Sequence, residues 1–225
     1  MAATLSPAET ACSHTSVSPL RFAGSSTKRS AQCCLYHLHG LIFLTWLVFF
    51  TLQANLIGNQ RPNLHQALGR LSVILAILML LTGYFMMRSA YSNPAFSIGS
   101  NSHDASMMFP LTDLINFTLV FTLGLFHRTN GIAHKRLMLL AGILILDPAV
   151  ARLVEAVGAQ FVFIPIIELS LFAALLAYDR IKLKRLHWTS LLGLSLFFAA
   201  MVAKLMLASR PAWVDLAKLL FSSAS

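Results

Sequence analysis

Four of the eight histidines, His65, His127, His134 and His187, stand at the edges of long apolar runs. Neutral imidazole is a good nitrogen ligand, so two on different helices can clamp a haem iron and several can hold a divalent metal. A pair of His65 with His134 is the first choice for such a site, since both lie one turn into a boundary. A second set of reactive groups, Asp113, Asp147, Arg152, Glu155 and Glu168, lies within or at the ends of the runs themselves. An ionised side chain in hydrocarbon costs from about 3 to more than 10 kcal/mol, so these groups should face inward, pair, or reach for the interface. Arg152 and Glu155 are three residues apart on one helical face, and Arg152 with Glu155 or Glu168 is the expected internal ion pair. Asp113 and Asp147, with fewer cations in reach, suit a proton path or a small cationic substrate. Lys204, near the end of the last run, reads as a side chain that snorkels to the interface.

Six apolar segments must position these groups, at about 35–57, 66–88, 108–127, 136–157, 160–180 and 186–208. Each can cross roughly 30 Å of hydrocarbon at about 1.5 Å per residue. Inside lipid every backbone polar group must bond within its own segment, and no strand-like alternation is present, so the runs are expected to be helices. The fold class is an all-α integral membrane protein, a bundle of six transmembrane helices. Pro148 should weaken the turn beside Asp147 in the fourth. In the second, His65, Gly69, Ser72, Ala76 and Gly83 share a face slim enough for a porphyrin or a neighbouring helix.

Composition agrees. Of 225 residues, 57% are apolar and 11% charged, where soluble domains carry roughly 25% charge. The net charge of +9 comes mostly from Lys and Arg in short segments between the runs, which speaks for membrane orientation and lipid headgroups and against nucleic acid. Six crossings gather Arg61, Arg70, Arg128, Lys135, Arg136, Arg180, Lys182, Lys184 and Arg185 on one side, which the positive-inside rule makes cytoplasmic. His65, His127, His134 and His187 fall on that same side, with Asp179.

Residues 1–34, rich in Ala, Ser and Thr, read as a disordered polar tail without the apolar core of a secretory signal. Residues 35–208 form the six-helix domain. Residues 209–225 hold "PAWVDLAKLLFSS", too short to span, with Trp213, Leu216, Leu219 and Leu220 at helical spacing, as in an interfacial helix. Cys12, Cys33 and Cys34 are odd in number and argue against a disulfide framework. No nucleotide loop, Gly-x-Ser-x-Gly elbow or His-Glu-x-x-His motif occurs, so no enzyme class is indicated.

"HQALGRLSVILAILMLLTG", "HKRLMLLAGILILDPAVARL", "DRIKLKRLHWTSLLG" and "SRPAWVDLAKLL" resemble the signatures of a group of uncharacterised bacterial multi-spanning inner-membrane proteins, with His-x-x-Leu-Gly-Arg and His-Lys-Arg-x-Met helix starts. The likeness runs from about residue 60 to 220 through His65, Gly69, Arg70, His134, Arg136, Met138, Arg152, Asp179 and His187. Trp188 stands where that pattern has Pro. The resemblance implies a multi-pass protein of the bacterial inner membrane and brings no activity with it; its similarity in outline to small haem-bearing cytochromes is an analogy of helices and histidines.

Three functions are therefore open. The first is a membrane redox component holding haem b or a divalent metal on the histidine-rich face, with a membrane redox partner. The second is a proton-coupled transporter of a small solute built on the intramembrane polar groups. The third is a non-catalytic assembly protein, with homo-oligomers open to any of them. The lipid bilayer is the one partner common to all.

Overall fold

Long apolar runs punctuated by Pro, Asn and short basic loops become helices, and the computed structural model shows helices throughout. It describes residues 23–93, 96–98 and 101–222, and among these there is no strand. In chain order they are α1 (Ala23–Gly58), α2 (Pro62–Tyr91), α3 (His103–Ser106), α4 (Met108–Phe126), α5 (Gly131–Leu144), α6 (Asp147–Ala156), α7 (Phe163–Leu183), α8 (Trp188–Met206) and α9 (Pro211–Phe221). Four of them are long and apolar enough to cross a membrane, counting Ser30–Gly58 within α1 and α3 with α4 as one; α5 and α6, if one bent span, make five. The remaining expected span lies in α7. Its 21 residues are long enough, but Glu168, Asp179, Arg180 and Lys182 dilute its apolar character.

The chain divides into two compact units, residues 1–96 with 221–225, and residues 97–220. In the first, α1 and α2 form a hairpin. Gln60 turns the chain with a left-handed φ of 55°, and Pro62 opens α2, where its missing N–H costs nothing. Trp46 and Leu56 of α1, and Ala76, Met79, Gly83 and Met87 of α2, are buried at helical intervals. The Thr82 hydroxyl donates to the Leu78 carbonyl, leaving its lone pair for His39 Nδ1 at 2.8 Å. The opposite face of α2 carries Leu71, Ile74, Ile77, Leu81 and Phe85, all exposed.

Two expectations for this unit change. Helix α1 takes in residues 23–34, assigned above to the polar tail, so the tail reading is left with residues 1–22, which lie outside the described residues. Cys33 is disulfide-bonded, against the cysteine count, and Cys34 is an exposed free thiol.

The second unit holds the remaining helices. Asn130 caps α5 by accepting from the Ala133 N–H. The fourth apolar run breaks at Ile145–Leu146 and resumes at Asp147 with a bend of 42°, because Pro148 has no N–H to continue the ladder. Helices α5 and α8 approach so closely that a methyl on Gly193 would collide with the Leu140 side chain. Lys184 ends α7 in the left-handed region, φ 57°. The short α9 starts at Pro211 as its sequence suggests, and its Trp213 indole donates to the Asp104 carbonyl at 2.9 Å.

Candidate functional site

Asp113 sits near the start of α4 and Lys204 near the end of α8, yet Lys204 Nζ donates to Asp113 Oδ1 at 3.0 Å. At the other ends, the His127 ring just past α4 lies 5.4 Å from Trp188, which opens α8. The two helices therefore run antiparallel. Lys204 Nζ also donates to Asp147 Oδ2 at 2.6 Å, so one ammonium joins α4, α6 and α8. Asp147 reaches it because the helix break makes it the first residue of α6.

The Lys204, Asp113 and Asp147 side chains are 13%, 8% and 20% exposed. Phe109 of α4 presents its ring 5.3 Å from the same ammonium, a cation–π contact. Glu168 of α7 is buried at 5% exposure and lies within the electrostatic reach of Asp147, Lys204 and Asp113. It has no hydrogen-bond or ion-pair partner among the described residues. Two carboxyls thus share one cation, and a third lies within its electrostatic reach.

A second polar centre joins α5, α7 and α8. Asp179 Oδ1 accepts from Arg136 Nε at 2.8 Å and Nη2 at 2.6 Å. Its Oδ2 accepts from the Ser190 hydroxyl at 2.7 Å and the His187 N–H at 3.2 Å. Arg136 also donates to the Ile132 carbonyl and sits over the Tyr178 ring. Both carboxylate oxygens are fully engaged and the side chain has no exposure. Such a closed network fixes helices in place.

The four histidines make contacts through Nδ1. His134 Nδ1 lies 2.8 Å from the Gly124 carbonyl and ties α5 to α4. His127 Nδ1 lies 3.0 Å from the Leu123 carbonyl of its own last turn. His187 caps α8, its Nδ1 accepting from Thr189, with the Thr189 hydroxyl at 2.8 Å. Burial, and next the Arg136 charge, hold the His187 ring below the usual imidazole pKa. His127 and His187 meet the same indole, Trp188, at 5.4 and 5.9 Å. His65 belongs to the other unit, its Nδ1 3.3 Å from the Gln53 carbonyl. Among the described residues no three His, Cys, Asp or Glu side chains converge to hold a metal.

Several expectations need correcting. Arg152 and Glu155 are both exposed, and the ion pair of Arg152 with Glu155 or Glu168 is not formed. Their shared face points away from the polar interior. Lys204 does not snorkel; it turns inward and is the cation that Asp113 and Asp147 were thought to lack. At Gly69 the slim face of α2 has open space beside it, since an added methyl would meet nothing within 4 Å. The Arg136–Asp179 pair goes beyond the sequence, which offers Arg136 as an orienting cation and a point of resemblance but not as an ion-pair partner. Its one signal was an Asp and an Arg at helix ends on the same expected side. No family model, curated protein or solved structure matches the chain.

Proposed function

We propose that the chain is a six-span membrane protein of the bacterial inner-membrane type and acts as a proton-coupled carrier of a small solute. The observation that carries this reading is Lys204 bridging Asp113 and Asp147 at the break between α5 and α6. Ionisable groups inside a membrane protein face its interior and mark ion or substrate pathways. Broken helices recur at the binding centres of secondary transporters, where two helix halves can rock around a fixed site. Asp147 combines both features. The exposed apolar band on α2, with Leu41, Leu44 and Val48 on α1, is what lipid contact requires and water disfavours. Loops one, three and five face the cytoplasm in this reading, and α9 lies in the interface with Leu216 and Leu219 outward.

A haem- or metal-holding role has less support. In His65, His127 and His134 the Nδ1 contact to a carbonyl does not use Nε2, the other ligating nitrogen, but His65 belongs to the other unit, and no three-ligand set is present among the described residues.

Reconstitution tests the carrier. Proteoliposomes with a trapped pH dye and an imposed proton gradient are challenged with a panel of amines, sugars and amino acids. At least one class should collapse the gradient with wild type, and Asp147→Asn should abolish that response. A gradient as stable as in protein-free vesicles against the whole panel would overturn the reading. A haem absorption band in the purified protein would return the redox reading to first place.

A further inference from the structure

We infer that the cleft at the C-terminal end of α2 holds the phosphate of an anionic phospholipid, gripped by Arg88 and Ser89. One acyl chain of that lipid lies along the exposed apolar face of the same helix. The site depends only on contact with a bilayer, not on the carrier reading. Its cleft has a volume of about 460 Å³, within the roughly 300–1,000 Å³ of small-ligand sites. Phe85, Arg88, Ser89, Tyr91 and Phe221 line it, and all belong to the first unit. The Phe221 ring lies 6.2 Å from Tyr84 and 5.9 Å from Tyr91, so one wall is aromatic.

Two polar groups in the cleft lack partners. Half-buried Arg88 forms no side-chain hydrogen bond or ion pair among the described residues. Residues 23–98 contain no Asp or Glu, so no described carboxylate of this unit can neutralise it. The Ser89 hydroxyl is shielded from solvent in its present rotamer and bonds to none of the described residues, which costs free energy until a partner arrives. Orientation does not explain Arg88, since the positive-inside assignment puts it on the side poor in basic residues. The helix dipole adds only about half a negative charge at this end, so the guanidinium leaves the cleft positive. The two unesterified oxygens of a phosphodiester match the planar guanidinium fork, and one of them can accept from Ser89 after a turn of χ1. A zwitterionic headgroup would bring its own ammonium beside Arg88 with no carboxylate to receive it. An anionic one fits. Counting back from Arg88, Phe85, Leu81, Leu78, Ile74 and Leu71 follow in alternating steps of three and four, and all are exposed. That spacing keeps to one helical face. Arg88 to Leu71 spans about 26 Å of helix, more than the roughly 15 Å depth of one hydrocarbon leaflet, so an acyl chain meets apolar surface along its whole length.

Native mass spectrometry of detergent-purified protein titrated with phosphatidylglycerol counts the bound lipid directly. The wild type should retain the lipid saturably, and phosphatidylcholine should bind at least about 10-fold more weakly. Arg88→Gln should weaken phosphatidylglycerol binding about 10- to 100-fold, in keeping with the loss of charge-assisted hydrogen bonds. Arg70→Gln removes the same charge from the first half of α2 and should leave binding unchanged, which separates a built site from the general attraction of basic residues for anionic lipid. Glycerol phosphate, the same phosphate chemistry without chains, should fail to displace the lipid even at about 100-fold excess, because the buried methylenes supply much of the affinity. Binding undiminished by Arg88→Gln, equal losses from Arg88→Gln and Arg70→Gln, no preference over phosphatidylcholine, or displacement by glycerol phosphate would each overturn the inference. The wild-type preference and the glycerol phosphate competition decide it even if Arg88→Gln fails to fold.

Discussion

The two polar centres of the second unit use similar residues to opposite ends. Around Asp179 every acceptor position is filled: two bonds from Arg136, one from Ser190 and one from the His187 backbone, with no exposure left. Around Lys204 the account is incomplete. One ammonium serves two aspartates that are 8% and 20% exposed, and Glu168, within its electrostatic reach, bonds to none of the described residues. A saturated network has nothing to exchange and specifies geometry. An undersatisfied one can change partners, and its charge state depends on what arrives.

The sharpest way to break that contrast is to unpair Asp179. Arg136→Ala leaves its carboxylate buried and alone, which should cost about 3–5 kcal/mol, read as a large fall in thermal stability in detergent. Lys204→Met strands two carboxylates that keep some water, so the expected loss is smaller, about 2–3 kcal/mol. Adding Asp113→Asn and Asp147→Asn to it should restore much of that stability while proton-linked transport stays absent. Recovery of transport in the triple variant would erase the distinction between the two centres. Gly193→Ala drives a methyl into Leu140 and should cost about 1–3 kcal/mol by overpacking, read as a fall in thermal stability.

The smallest expected effect concerns the cap on α8. The His187 pKa is lowered in the folded protein, so the unfolded chain binds the proton first as pH drops. Stability from the neutral cap is complete above about pH 6.5 and declines as pH falls through and below that value. Melting temperatures measured from pH 8 to 5 should show this decline. His187→Ala should remove the pH-dependent part and cost about 1 kcal/mol at pH 8.

Much of this architecture was legible in the chain. The apolar runs marked the long helices, and Pro148 marked the break beside Asp147, because both depend on local chemistry. Rotational setting did not follow from spacing. Arg152 and Glu155 do share a face, but only packing against neighbouring helices decides that this face is exposed. Lys204 stands where a snorkelling lysine would stand. Its inward turn depends on two aspartates, 91 and 57 residues earlier in the chain, brought beside it by antiparallel packing and a helix break. A count of cations in that half of the apolar runs leaves only Arg88, Arg152 and Lys204 to pair with those carboxyls. Arg136 was hidden by a rule that reads basic residues as topology signals and says nothing of what they touch.

Pro148 leaves a lasting mark on the backbone. Having no amide hydrogen, it deprives the Leu144 carbonyl of the partner four residues ahead that any other residue would supply. The joint between α5 and α6 thus starts one bond short, so swinging one half against the other ruptures fewer contacts than in an unbroken rod. Any such swing would carry Asp147, the first residue of α6, toward or away from Lys204.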